Sequence, residues 1–222
     1  MKNKKTYIIT IISILIIFII LFITKGIYPF GDNTLIWGDM NDQIAAFYYK
    51  FYDAFRSNSS IFIDYSTSAG VNFFGVLAYY LLSPFSFILL LFPRENLFQA
   101  ISIIIALKVV LSGVTFLYFI NKYFKNLPSY LSAFLAILYA FCGYNLIMYQ
   151  ITAWIDIVYL FPIFMIGLKK LLDFENPILY IITLTLAFIM CFYISLILLI
   201  FIIIFAALYI YFYTKKENRK KV

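Results

Sequence analysis

The stretch that decides the fold class reads YIITIISILIIFIILFIT, residues 7–24. It contains no charged side chain, and about 20 apolar residues suffice to cross roughly 30 Å of hydrocarbon as a helix. The run is long for the apolar core of a signal peptide, and no small-residue cleavage pattern follows it. We therefore expect an uncleaved first membrane span over residues 6–24.

The composition extends this interpretation to the whole chain. Hydrophobic residues make up 65% of it, charged residues make up 12%, and the mean hydropathy is +0.98. These values lie outside the range of soluble domains and predict an all-α, polytopic transmembrane helical bundle, a single membrane domain over residues 1–222. The net charge of +7 does not indicate nucleic acid, because the basic residues gather at the ends of apolar runs, where they anchor the chain among membrane lipids. The chain has no histidine, which excludes histidine catalysis and histidine metal ligation.

The basic clusters predict the topology. They are Lys2, Lys4 and Lys5; Lys122 and Lys125; Lys169 and Lys170; and the basic residues of 215–221. About six spans place every cluster in the cytoplasm, together with both termini. The expected spans are 6–24, 97–120, 129–148, 157–172 and two short crossings within 177–213, separated by a break near 191–193.

Residues 25–96 are expected to form the first extracytoplasmic loop. Aromatic and aliphatic residues recur at helical spacing over residues 42–56, which predicts an amphipathic helix lying along the membrane surface. The apolar run 73–92 is interrupted by Ser83 and Pro84, and the residue before a proline disfavours helix. We interpret this run as a pair of short re-entrant or interfacial helices.

Asp39 and Asp42 are the sharpest candidates for chemistry. A spacing of three residues places both carboxylates on one face of a helix that begins there, where the helix dipole favours them. One carboxylate could act as a general base toward a hydroxyl, or the pair could share a divalent cation, the only cofactor the sequence suggests. Alternatively, Asp39 or Asn41 caps a helix that Asp42 opens.

Other polar and aromatic residues are candidates for substrate binding. Asp64, Asn72 and Gln150 lie on the expected outer side, either as binding groups or as solvated loop residues. Asp156 follows Trp154 at the outer mouth of a span, where it could equally be an interfacial anchor.

Lys108 and a pair of tyrosines complete the candidates. Lys108 lies in the middle of an apolar run, so it pairs with an acid, meets an anionic ligand, or extends its ammonium to the interface. Tyr79 and Tyr80 could stack on sugar rings or cover an isoprenoid tail.

These elements together resemble the YfhO family of bacterial membrane proteins. The matching pieces, in order, are GIYPFG at 26–31, Asp39 with DQ at 42–43, YS at 65–66, GVN at 70–72, YYLLSPF at 79–85, LK at 107–108, YA at 139–140, GY at 143–144, and WID at 154–156 leading to Pro162. Their order and spacing run through almost the whole chain.

The resemblance implies a GT-C-type glycosyltransferase in the bacterial plasma membrane. Such an enzyme takes a sugar from a polyprenyl-phosphate donor on the outer face, with a catalytic aspartate in the first outer loop. Asp39 occupies that place and Asp42 is the second acid. The implied acceptor is a cell-wall polymer such as lipoteichoic acid. Family members are usually several times longer, so the chain looks like an N-terminal fragment or a truncated member.

Two other functions compete with this one. In a transporter or lipid flippase, Lys108 and the outer acids would line a substrate path. No inverted repeat in the sequence favours that function. In the other alternative, the chain is a non-catalytic, truncated membrane subunit.

Overall fold

A computed structural model of the chain describes residues 4–57, 59–65 and 70–213. These residues are almost entirely helical, which confirms an all-α protein. The α-helices are α1 (Lys4–Lys25), α2 (Ala45–Arg56), α3 (Phe73–Val76), α4 (Leu97–Tyr123), α5 (Ser129–Ala140), α6 (Gly143–Met148), α7 (Thr152–Leu172), α8 (Ile178–Met190) and α9 (Phe192–Tyr213). The shorter elements are π-helical turns at Met40–Ile44 and Leu77–Leu81, 3₁₀ helices at Pro84–Leu91 and Arg94–Asn96, and an antiparallel pair of two-residue strands, β1 (Ile63–Asp64) and β2 (Val71–Asn72). Lys2 and the basic residues of 215–221 lie outside the described residues.

The number of long apolar helices is smaller than the six expected crossings. Within the described residues, four stretches are long and apolar enough to span a membrane: Lys4–Lys25, Arg94–Tyr123, Ser129–Met148 and Phe192–Tyr213. A fifth is possible if Phe73–Leu81 and Pro84–Leu91 count as one bent span. The expected fifth crossing is α8, whose 13 residues reach only about 20 Å. The expected fourth crossing is α7, where Asp156 and Pro162 interrupt the apolar run.

Contacts between helices show that the chain alternates in direction through its last three helices. Three contacts join α7 to α9 in the same order along both helices: Trp154 with Tyr193, Phe161 with Phe201, and Lys169 with Tyr209. Between them α8 runs the other way, because Gly167 near the end of α7 lies against Tyr180 near the start of α8. The expected break is therefore confirmed at Cys191, where the chain reverses.

Most described lysines at helix ends gather at one end of the bundle, with the exception of Lys25 at the end of α1. Lys5 and Tyr130, at the starts of α1 and α5, line one cavity. Lys169 lies 5.6 Å from the ring centre of Tyr123, at the ends of α7 and α4, and Tyr213 lines a cavity with both. We call this the basic end. The described residues of 26–96 lie at the opposite end, which we call the loop end, and both described termini lie at the basic end.

The helices of the loop end pack on the bundle. Tyr48 and Phe51 of α2 are each 1% exposed and share a core with α4, whose Leu97 and Ile101 are fully buried. Residues 42–56 form the predicted amphipathic helix, and their position along the membrane surface stays a prediction. Their aromatic stripe faces protein because the first half of α4 provides an apolar surface that matches it.

The run 73–92 bends where the sequence predicts. Phe73–Leu81 and Pro84–Leu91 meet at 103°. Ser83, between them, has the extended backbone that a following proline imposes, and its Oγ accepts a hydrogen bond from the Phe85 N–H at 3.3 Å. The pair of short helices is confirmed, and it brings Ser83 into the interior.

Candidate functional site

Asp39 lies on an exposed turn that leads into the first helix of the loop end. Gly38 has a φ of +52°, a conformation that favours glycine. Its carbonyl accepts hydrogen bonds from the N–H groups of Asn41 at 2.9 Å and Asp42 at 3.0 Å. The side chains of Asp39 and Asp42 are both exposed. The turn therefore holds two carboxylates at the surface on an ordered backbone.

The helix after Asp39 begins two residues earlier than the sequence predicts. It starts at Met40 as a π-helical turn, and Asp39 makes no side-chain capping bond. Asn41 lies inside that turn, where its Nδ2 donates to Asp42 Oδ1 at 3.0 Å. Asp39 thus occupies the N-terminal cap position of a helix that Met40 opens, without a side-chain capping bond, and Asn41 is not a cap. The Gly38 carbonyl accepts the N–H groups of Asn41 and Asp42 instead.

Gln150 is brought to Asp39 from a distant part of the chain. Its Oε1 accepts a hydrogen bond from the Asp39 N–H at 3.1 Å. A Cβ on Gly38 would collide with the same Oε1, so the close approach requires glycine. Beside this contact, the rings of Trp37 and Tyr149 lie 6.5 Å apart. Two residues singled out from the sequence, Asp39 and Gln150, therefore belong to one site.

Asp64 and Asn72 lie at the strand pair of the loop end and have local partners. Asp64 Oδ1 forms an ion pair with Lys50 Nζ of α2 at 3.3 Å. Asn72 caps α3 by accepting a hydrogen bond from the Gly75 N–H at 3.2 Å. The structure thus gives Asn72 a helix-capping role that the sequence pattern did not predict.

Tyr79 and Tyr80 lie on the second π-helical turn, Leu77–Leu81. Their ring centres are 4.5 Å apart, and Tyr80 contacts Phe47 of α2 at 5.3 Å. Both rings are half-buried. They form a partly exposed aromatic surface beside α2.

Lys108 and Asp156 form an ion pair inside the bundle. Lys108 Nζ lies 2.8 Å from Asp156 Oδ1, and both side chains are 0% exposed. The interfacial-anchor interpretation of Asp156 is therefore wrong, as is the interpretation in which Lys108 extends to the interface. Each charge neutralises the other where both side chains are buried from solvent.

Further polar groups that sequence reasoning missed surround this pair. Lys108 Nζ donates to the Thr152 carbonyl at 3.0 Å, and Ser83 Oγ donates to Asp156 Oδ1 at 3.1 Å. The hydroxyls of Tyr48 and Thr152 are also hydrogen-bonded. The signal that could have found the pair is the presence of one lysine and one aspartate inside two apolar runs, since each needs an opposite charge.

The polar network joins the loop end to the bundle. Tyr48 comes from α2, Ser83 from the bend of the re-entrant pair, Lys108 from α4, and Thr152 and Asp156 from α7. Burial raises the pKa of Tyr48 to about 12, so its hydroxyl is neutral at physiological pH. The network holds the start of α7, and with it the turn that carries Gln150, against α2.

The acids do not form a ready-made metal site. Among residues 4–57, 59–65 and 70–213, no group of three or more histidine, cysteine or acidic side chains is placed to hold a metal ion. A divalent cation on Asp39 and Asp42 would therefore have to take its remaining oxygen ligands from water or substrate.

Comparison with known proteins gives one match. Residues 10–222 match the sequence profile of a family described as bacterial membrane protein YfhO. No curated protein and no solved structure matches the chain significantly.

Proposed function

The chain belongs to the YfhO family of bacterial membrane proteins, and from this we propose that it is a GT-C-type glycosyltransferase of the plasma membrane. The proposed reaction moves a sugar from a polyprenyl-phosphate donor to a cell-wall polymer such as lipoteichoic acid at the outer leaflet. The observation that carries the proposal is the exposed Asp39 carboxylate on a turn fixed by Gly38 and Gln150.

The proposed orientation follows from charge. The basic end, with Lys5, Lys122 and Lys169, faces the cytoplasm because positive residues are retained on that side. The loop end then lies outside, and Asp39 meets substrates at the outer surface. Both described termini are cytoplasmic in this orientation.

In the proposed mechanism Asp39 acts as the general base. Its carboxylate accepts the proton of an acceptor hydroxyl while the hydroxyl oxygen attacks the anomeric carbon of the donor sugar. The bond from that carbon to the phosphate oxygen breaks, and polyprenyl phosphate leaves with the electron pair. Attack opposite the leaving group inverts the anomeric centre. Asp42 supports the base or holds a divalent cation.

The loop end supplies surfaces for a lipid-linked donor. Tyr79 and Tyr80 offer half-buried aromatic rings beside α2, and we assign them to the isoprenoid tail or the sugar. Lys108 has no contact with the donor in this proposal, because Asp156 and the Thr152 carbonyl occupy its ammonium. A transporter would need Lys108 on a substrate path, and its complete burial speaks against that alternative.

Sugar transfer by single-residue variants tests the proposal. Membranes containing the full-length protein are supplied with polyprenyl-phosphate monosaccharides and isolated lipoteichoic acid, and sugar incorporation is measured. Asp39→Asn should lower the rate about 10²- to 10⁴-fold, the usual contribution of a general base. Asp42→Asn should lower it less if Asp42 only supports the base.

The matched control is Asp32→Asn. Asp32 is an exposed aspartate of the same loop and has no role in the proposal, so this variant should transfer sugar at the wild-type rate. A wild-type transfer rate in Asp39→Asn, as in Asp32→Asn, would exclude Asp39 as the base. Equal loss in both would indicate a general requirement for negative charge in the loop.

A further inference from the structure

A second candidate site lies at the loop end, between α2 and the strand pair. It is a cavity of about 400 Å³, bounded by residues of α2, both strands, α3 and the turn at Arg94. Its size falls in the range of small-molecule sites, about 300–1,000 Å³. Asp39 lies about seven residues before Ala46, the first α2 residue that lines the cavity, which is roughly 10 Å along the helix.

The charged groups of the cavity neutralise one another in two pairs. Lys50 Nζ lies 3.3 Å from Asp64 Oδ1. The Arg94 guanidinium donates to both carboxylate oxygens of Asp53, from Nε to Oδ1 at 2.8 Å and from Nη2 to Oδ2 at 2.9 Å. The cavity wall therefore has no net charge but presents ammonium and guanidinium donors next to carboxylate acceptors.

The rest of the wall is aromatic and aliphatic. Tyr49 lines the cavity, with the Arg94 guanidinium carbon 5.0 Å from its ring centre. The apolar part of the cavity wall includes Phe47, Phe73 and Val76. An apolar surface beside paired donors and acceptors suits a ligand with C–H faces and many hydroxyls.

We propose that this cavity binds a neutral saccharide unit. Sugar hydroxyls both donate and accept hydrogen bonds, so they can use each ion pair without breaking it. A phosphate would have to displace Asp53 from Arg94 or Asp64 from Lys50 to gain a comparable contact. The inference rests on the proposed function in one respect, since it places the saccharide of donor or acceptor near Asp39.

Binding is tested directly, without sugar transfer. The full-length protein is placed in lipid nanodiscs free of glycoside detergents, and saturation-transfer NMR follows methyl glucoside and methyl galactoside. We expect binding to weaken about tenfold in each of Asp53→Asn, Asp64→Asn and Tyr49→Leu, because each removes a charged hydrogen-bonding group or an aromatic face. Tyr130→Leu is the matched control, since Tyr130 is exposed at the basic end and should leave binding unchanged.

Thermal unfolding of each variant separates loss of binding from loss of fold. Asp39→Asn should lower the transfer rate about 10²- to 10⁴-fold yet keep wild-type saccharide binding, so the two proposals can fail independently. The saccharide proposal is overturned if the wild-type protein shows no saturation transfer at millimolar sugar. It is also overturned if the three cavity variants bind like Tyr130→Leu, or if glycerol phosphate displaces the sugar and binds more tightly.

Discussion

Replacing Lys108 by methionine should destabilise the folded protein more than any comparable change at its surface. The substitution keeps an unbranched side chain, shorter by the terminal nitrogen, and removes its charge, so packing of the rest of the side chain changes little. What remains is Asp156, which is 0% exposed and loses the ammonium 2.8 Å from its Oδ1. The Ser83 hydroxyl, 3.1 Å away, is then the strongest donor left to that oxygen.

The magnitude follows from the burial of both charges. Breaking a buried ion pair by removing one partner costs about 3–5 kcal/mol, because the other charge stays uncompensated. The retained Ser83 hydrogen bond favours the lower part of that range, about 3 kcal/mol. Replacing both partners, as Lys108→Met with Asp156→Leu, should cost only about 1 kcal/mol, because no buried charge remains. The double variant should therefore be more stable than Lys108→Met alone.

Reversible unfolding in lipid–detergent micelles measures these free energies. Tryptophan fluorescence is a suitable probe because Trp154 lies on α7, two residues before Asp156. The matched control is Lys169→Met. Lys169 also pairs with an aspartate, Asp173, but their side chains are 35% and 33% exposed, so its loss should cost less than about 1 kcal/mol.

Two results would refute this reasoning. One is a Lys108→Met protein within about 1 kcal/mol of wild type, which would place the pair in the class of exposed ion pairs. The other is a double variant whose destabilisation equals the sum of the single ones, since that would mean no coupling between the two residues.

Two further predictions concern packing and alkaline pH. Gly167→Ala should destabilise the protein by about 1–3 kcal/mol, because a Cβ there would lie 2.6 Å from the Tyr180 backbone nitrogen. The control Gly143→Ala, whose Cβ would meet nothing within 4 Å, should leave stability equal or slightly higher. Denaturant unfolding compares the two variants, and equal destabilisation would contradict the close α7–α8 contact. The pKa of Tyr48 is raised from 10.0 to about 12 in the folded protein. Because the unfolded chain therefore releases the tyrosine proton at a lower pH, the stabilisation contributed by Tyr48 is complete below pH 10 and is lost as the pH rises toward 12. Tyr48→Phe should be less stable at neutral pH, through the lost Thr152 hydrogen bond, yet lose less stability in alkali; parallel stability–pH curves for both proteins would disprove this.

Local sequence pattern was a good guide where local chemistry controls the backbone. The bend at Ser83 and Pro84 follows from the missing proline N–H and from the restriction on the residue before it. The break at Cys191 follows from an apolar run too long for one crossing. The sequence pattern did not predict the π-helical start of the helix after Asp39. The π-turn at Met40–Ile44 differs from an α-helix only in its hydrogen-bond register, which side-chain spacing does not reveal.

The candidate site was predictable only in part. Asp39 stands out because an acid at the end of an apolar run is rare and costly without a purpose. Nothing near it in sequence indicates Gln150, which accepts the Asp39 N–H from 111 positions further along the chain. The meeting of Lys108 and Asp156 was equally hidden, because it depends on the register in which α4 packs against α7.

The sequence by itself determined that this is a helical membrane protein and that the lysine clusters at the ends of its apolar runs belong at one end. The physical reason is that transfer of apolar side chains into lipid is favourable residue by residue, and so is the retention of lysine at the interface. Only the tertiary structure decided which charges are paired and which are exposed. Lys108 and Asp156 neutralise each other in the interior, whereas Asp39 keeps its carboxylate at the surface, because the energy of a charge depends on its neighbours in space.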